Sequence, residues 1–168
     1  YDYSQPIVIN NYSSPTTEVS VDASSDPTVT QQVTQEATQE SPETIAGYKA
    51  FDQAVEAFKQ GNYAQALALD EQAIQNVPDD PILHEFGARC LFAQGNYARA
   101  AAVLNALLAV APGMDWATMS SLYPDTEVYQ EQFRALEQHT KGNPDDAAGH
   151  FVLAYHYLVG GHAEEALG

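Results

Sequence analysis

One heptapeptide occurs twice in this chain at an interval that constrains the fold. GNYAQAL at residues 61–67 returns as GNYARAA at residues 95–101, 34 positions later in a chain of 168 residues. In both copies a Gly-Asn pair separates stretches with the apolar periodicity of helices. Because a lone helical hairpin cannot bury its own apolar face, a constant interval favours hairpins stacked on one another. We therefore expect an all-α solenoid without a sheet.

Local signals predict where the helices begin and end. Ser41 before Pro42 is typical of an N-cap followed by proline at the first helical position, and Asp80-Pro81 repeats the pattern. The first helix should then end near Gln60, and the second should run from Tyr63 to about Asn76. Breaks between helices are expected at Gly61-Asn62, Gly95-Asn96, Pro124-Asp125 and Gly160-Gly161.

Small residues and prolines recur in register when each unit is numbered from 1 to 34. In the units at 47–80 and 81–114, alanine stands at positions 8 and 20 and proline at position 32, as Ala54, Ala88, Ala66, Ala100, Pro78 and Pro112. This pattern resembles the tetratricopeptide repeat, a helix-turn-helix family with a 34-residue period. The resemblance implies a right-handed superhelix whose first helices line a concave groove that binds peptides or protein segments. We also expect Ala154, at position 8 of a later unit, to be buried.

A third unit, at 113–146, keeps only part of the pattern. Ser120 and Gln132 stand at its small positions, and Pro124 should end its first helix early. We expect a distorted hairpin, followed by a partial unit at 147–168, so that the repeats number about three and a half. Asp70 departs from the family pattern at an aromatic position, and Leu69 is expected to compensate for it.

The family's inward-facing positions, 2, 5, 9 and 12, predict the residues of the groove. The partner-binding candidates among them are Tyr48, Phe51, Val55, Phe58, Arg89, Phe92, Phe151 and Tyr155, a mostly apolar and aromatic set. The resemblance makes them candidates for binding a protein or peptide segment. The alternative is that they are covered within the chain, by its own N-terminal tail or by a cap helix that this sequence lacks.

Residues 1–41 differ in composition from the repeat domain at 42–168. They are acidic and rich in Ser, Thr and Gln, with no Lys or Arg, which favours a flexible linker. Residues 1–12, YDYSQPIVINNY, are predicted either to be a docking strand or to be an apolar end left by truncation. A docking strand would serve self-docking or a homo-oligomer, for example in a cell-envelope assembly. The YDYSQPI segment resembles that of planctomycete-type bacterial repeat proteins, which implies export to the envelope or periplasm.

The net charge of −17 limits the partners. Because this charge repels phosphate backbones and acidic membranes, we expect no nucleic acid partner and no membrane insertion, and instead a basic or apolar protein partner. No pair of histidines shares a helical face in an HExxH pattern, and Cys90 is best explained as a small buried side chain. We therefore expect a scaffold with no cofactor and no metal, not an enzyme.

Overall fold

The computed structural model describes residues 41–162 and residue 166. These described residues form seven α-helices and contain no strand, which confirms the predicted all-α repeat fold. The helices are α1 (Pro42–Lys59), α2 (Tyr63–Asn76), α3 (Pro81–Ala93), α4 (Tyr97–Leu108), α5 (Trp116–Ser121), α6 (Thr126–Gly142) and α7 (Ala147–Val159). The predicted tail and docking strand lie outside the described residues, and the division into domains and units stays a prediction.

The helix ends follow the capping chemistry of the sequence. The side chain of Ser41 accepts a hydrogen bond from the backbone N–H of Thr44 at 3.1 Å, and that of Asp80 accepts one from Ile82 at 2.9 Å. At the breaks, Gly61, Gly95 and Gly161 have φ angles of 78°, 70° and 81°, a left-handed conformation that favours glycine. Helices are separated at three of the predicted breaks, Gly61-Asn62, Gly95-Asn96 and Pro124-Asp125, and α7 ends directly before the fourth, Gly160-Gly161.

The first four helices pack as two regular hairpins. α1 packs on α2, α3 packs on α4, and α2 joins the two pairs through α3. At the predicted contact positions Ala54, Ala66, Ala88 and Ala100 are buried, so the helix axes approach closely. Ala154 is only half-buried, and the prediction for it was wrong. The described residues include no helix after Val159 that packs on this position.

The third hairpin is distorted, as predicted. Its first helix, α5, has six residues, and Pro124 follows in the turn before α6. α7 then packs on α4 as well as on α6. A stack of equal hairpins would place the next first helix, α5, against α4, so the shortening of α5 lets α7 reach the regular part of the stack.

A hydrogen bond repeats at the start of α3 and of α7. The Nε2 atom of His84 lies 2.6 Å from the carbonyl oxygen of Pro78, and that of His150 lies 3.1 Å from the carbonyl oxygen of Pro144. Both histidines therefore stand in the same geometry relative to the preceding proline. The register predicted for α7 is supported by this bond, although the intervening hairpin is irregular.

Asp70 occupies the interior between α2 and α3. It is fully buried, and neither carboxylate oxygen has a hydrogen-bond partner. Space is provided by Gly87, since a Cβ atom there would lie 2.7 Å from the Oδ2 atom of Asp70. Leu69 is half-buried and packs against the main core cluster, and its compensation for Asp70 stays a prediction. Burial, followed by the nearby charge of Glu71, raises the pKa of Asp70 to about 8.

Candidate functional site

The side chains predicted to line the groove fall into two groups by exposure. Tyr48 and Phe151 are exposed to solvent, and Phe51 and Val55 are half-buried. The remaining four are buried, namely Phe58, Arg89, Phe92 and Tyr155. Half of the predicted set therefore lies in the interior of the described fold.

Phe58 is buried by an aromatic cluster that joins the first hairpin to the third. Its ring packs edge to face on Tyr63 and on Tyr123, with centroids 5.0 Å and 5.1 Å away. Phe86 of α3 adds a third ring at 5.5 Å. Since Tyr123 follows α5, the distorted hairpin covers the C-terminal end of α1.

Phe92 is buried in the corresponding place at the end of α3. Its ring centroid lies 4.1 Å from that of His156 on α7 and 6.4 Å from that of Tyr129 on α6. The His156 side chain is itself buried, and burial, with the nearby charge of Arg89, holds its pKa well below the usual value. A neutral imidazole therefore packs on Phe92, and α6 and α7 together close this end of the groove.

Gln132 of α6 connects the distorted hairpin to the first regular one. Its side-chain amide donates a hydrogen bond to the hydroxyl of Tyr63 at 2.9 Å and accepts one from the hydroxyl of Tyr123 at 2.9 Å. Gln132 stands where the repeat pattern calls for a small residue. The size of Gln132 at that position indicated a distorted hairpin. The sequence did not indicate that the Gln132 side chain contacts Tyr63, 69 residues away.

Arg89 is buried rather than presented to a ligand. Its Nη2 atom donates to the hydroxyl of Tyr155 at 3.5 Å and contacts the sulfur of Met114 at 3.7 Å. One turn earlier, the carboxylate of Glu85 accepts hydrogen bonds from the backbone N–H of Met114 and from the hydroxyl of Tyr155. These contacts hold α7 and the segment before α5 over the middle of α3.

Apolar side chains stay exposed at the N-terminal ends of α1 and α3. Tyr48 donates a hydrogen bond to one carboxylate oxygen of Asp80 at 2.9 Å, and the other oxygen accepts from the backbone of Ile82. The carboxylate of Asp80 therefore joins the hydroxyl of Tyr48 to the backbone of Ile82. We define this surface, the open groove end, as Ile45, Tyr48, Phe51, Val55 and Ile82; Ile45 and Ile82 are more than half exposed, at 55% and 51%.

The groups that could serve catalysis or metal binding in the described residues are the Cys90 thiol and the His, Asp and Glu side chains. Cys90 is buried, as predicted, and burial raises the pKa of its thiol, which disfavours the reactive thiolate. No group of three or more His, Cys, Asp or Glu side chains in this part of the chain is arranged to hold a metal ion. No helix of the described residues has the length and apolar character required to cross a membrane.

Six aromatic rings around a cavity between α5, α6 and α7 were missed at the level of sequence. They belong to Trp116, Tyr129, Phe133, His156, Tyr157 and His162, and the cavity measures about 410 Å³. Their concentration in the last third of the described chain was visible in the sequence. The sequence did not indicate the turn that brings α5 against α6 and α7. Pro124 predicts that a helix ends there, but it does not predict in which direction the chain continues.

Comparison with known families supports the repeat register. Residues 51–115, which extend from α1 to the segment before α5, match the tetratricopeptide repeat family. Searches among curated proteins and among solved structures gave no match. The matched residues include the second half of α1 and all of α2, α3 and α4, and they leave the distorted hairpin outside. Through residues 51–115, the chain is similar to the tetratricopeptide repeat family.

Proposed function

We propose that this chain is a protein–protein interaction scaffold that binds a peptide or protein segment at the open groove end. Tetratricopeptide repeats generally mediate interactions between proteins, and their members are typically scaffolds without catalytic activity. The observation that carries the proposal is the adjacent exposure of Tyr48 and Ile82 on the inward-facing side of two regular hairpins.

The chemistry of the open groove end suits an apolar anchor. Exposed and half-buried apolar side chains that are contiguous typically mark interaction surfaces. Tyr48 offers both a ring and a hydroxyl, which is a combination enriched at the energetic centres of interfaces. The net charge of −17 favours a segment in which basic residues flank that apolar anchor.

Of the eight residues predicted to bind a partner, those at the N-terminal end carry the proposal. Tyr48, Phe51 and Val55 belong to the open groove end. Phe151 is exposed on α7 and can extend the contact if the partner is long. The buried residues Phe58, Arg89, Phe92 and Tyr155 support the surface from within.

Selection of peptides on the immobilised full chain tests the proposal. Peptides enriched from a random display library should bind Ile82→Glu at least about tenfold more weakly, because a buried unpaired carboxylate costs more than 1.4 kcal/mol. Val110→Glu is the matched control, since Val110 is exposed to a similar extent, 47%, outside the open groove end. Selected peptides that bind both variants as tightly as the wild type would contradict the proposal.

Self-association through residues 1–12 is the alternative function, and its residues lie outside the described part of the chain. Light scattering on the full chain and on a variant lacking residues 1–12 separates the two functions. A concentration-dependent mass that is lost with the deletion supports self-association. An unchanged mass, together with peptide binding that depends on Ile82, supports the scaffold.

A further inference from the structure

The aromatic cavity at the other end of the described chain is built from side chains of three helices. Trp116 comes from α5, Tyr129 and Phe133 from α6, and Tyr157 from α7. Its volume of about 410 Å³ falls within the range of small-molecule sites, roughly 300 to 1,000 Å³. The open groove end contributes no residue to this cavity, so the two surfaces are separate.

Two of the ring pairs meet at steep angles and one is stacked, so ring faces and edges are presented from several directions. Trp116 packs on Tyr129 with centroids 5.2 Å apart and planes at 69°. Phe133 packs on Tyr157 at 5.4 Å and 84°, and stacks on Tyr129 at 5.9 Å and 20°. The negative face of an aromatic ring attracts a cation, most strongly for Trp, and walls of several rings surround a rounded cationic group.

Charges near the cavity favour a positive ligand. The hydroxyl of Tyr157 donates a hydrogen bond to the Oε1 atom of Glu137 at 3.0 Å, which holds a carboxylate beside the rings. His156 is neutral because burial depresses its pKa, so it does not repel a cation. Arg89, whose charge contributes to the lowered pKa of His156, does not line the cavity. The net charge of −17 adds a long-range attraction for cations.

We propose that this cavity binds an alkylammonium group, with the rings of Trp116, Phe133 and Tyr157 around the cation and Glu137 at its edge. The group comes either from a free quaternary ammonium compound or from a methylated lysine side chain. A neutral apolar ligand would contact the same rings but would gain no attraction from the carboxylate of Glu137.

Trp116 is the only tryptophan in the chain, so its fluorescence reports directly on this cavity. Choline should change the emission of the full chain with a saturable dependence on concentration. The matched probe is 3,3-dimethyl-1-butanol, which has the same shape with a neutral carbon in place of the ammonium nitrogen. It should bind at least about tenfold more weakly, since it lacks the cation that the rings and the carboxylate attract.

Two variants identify the groups that hold the cation. Phe133→Leu removes one ring and should weaken choline binding at least about tenfold. Glu137→Gln keeps the size of the side chain, removes its charge and should weaken binding several-fold. Val110→Ala is the control, because Val110 is an exposed apolar side chain outside the cavity, and choline binding by this variant should equal that of the wild type.

Nα-acetyl-Nε-trimethyllysine amide is the second ligand and separates the two sources of the ammonium group. Tighter binding of choline supports a free compound, and tighter binding of the lysine derivative supports a modified protein. The proposal is overturned if neither ligand gives a saturable change, or if the neutral analogue binds as tightly as choline. Wild-type affinity in both Phe133→Leu and Glu137→Gln would overturn it as well. If Phe133→Leu fails to fold by circular dichroism, Glu137→Gln decides alone.

Discussion

The regular hairpins α1–α2 and α3–α4 and the distorted pair α5–α6 use the same repeat positions differently. In the regular hairpins, Ala54 and Ala88 at position 8 are buried where two helices meet. In the distorted pair, Gln132 stands at a small position and forms hydrogen bonds with the first hairpin. In the regular hairpins, small residues thus let the helices pack closely. In the distorted pair, the larger polar residue forms contacts with another hairpin instead.

The difference determines which of the predicted groove residues stay exposed. Tyr123 and Tyr129 cover the C-terminal ends of α1 and α3, and α7 covers the middle of α3. At the N-terminal ends, Tyr48 and Ile82 stay exposed. The degenerate repeat therefore buries part of the predicted groove residues, while the two hairpins that precede it stay regular.

The largest expected effect comes from breaking the cluster shared by the two regions. Phe58→Ala should lower the free energy of unfolding by about 3 to 5 kcal/mol, because the ring is almost fully buried among aromatic rings from α2, α3 and the α5–α6 turn. Urea unfolding followed by circular dichroism measures the loss. Phe151→Ala, at an exposed site, should change stability by about 0.5 kcal/mol or less. Similar losses in the two variants would contradict the burial of Phe58.

The next effect concerns Asp70, inside the regular region, and depends on pH. Since its pKa is about 8 in the folded chain and roughly 3.9 when unfolded, folding takes up a proton between these values. Its contribution to stability is full below about pH 4 and is lost as pH rises towards 8, at most about 1.4 kcal/mol per unit. From pH 5 to pH 7, the wild type should lose up to about 3 kcal/mol relative to Asp70→Ala.

Urea unfolding at pH 5, 6 and 7 in both proteins measures this difference. The lowered pKa values of His84 and His156 act in the opposite direction, since their stabilisation is lost as pH falls, but they are common to both proteins and cancel. Asp52→Ala, the same substitution at an exposed position of α1, serves as the control. Parallel stability curves for the wild type and Asp70→Ala would show that Asp70 is ionised in the folded chain.

A smaller effect compares one repeat position in two settings. Ala88→Leu should overpack the contact between α3 and α4 and cost about 1 to 3 kcal/mol. Ala154→Leu places the same change at position 8 of α7, where the alanine is half-buried, and should cost less than about 1 kcal/mol. Melting temperatures of the two variants give the comparison. Equal losses would mean that α7 is as tightly packed at this position as α3.

Much of the fold could be predicted because its signals are local. Ser41 and Asp80 cap helices through their own neighbours, and Gly61 and Gly95 adopt left-handed conformations that other residues avoid. The contacts that the repeat period predicts are also short in sequence, because they join only neighbouring hairpins. These signals fix helix ends and register within a few residues, wherever the chain repeats.

The site could be predicted only in part because its exposure depends on distant contacts. The family positions identified Phe58 and Phe92 as inward-facing, but Tyr123 and His156, which bury them, come from another hairpin and another unit. The expected cover was the tail or an additional helix. The residues that bury Phe58 and Phe92 come instead from the distorted hairpin and α7. Gln132 departs from the repeat pattern and indicated that this hairpin is distorted, but it did not indicate which part of the chain the hairpin packs on.

The central claim is that the distorted hairpin packs onto the first regular hairpin of the same chain. A double-mutant cycle with Tyr63→Phe and Gln132→Leu tests it most directly, since the two side chains share a hydrogen bond of 2.9 Å across 69 residues of sequence. The account predicts a coupling energy of about 0.5 to 1.5 kcal/mol in the free energy of unfolding. Effects of the two substitutions that add to within about 0.3 kcal/mol would contradict it.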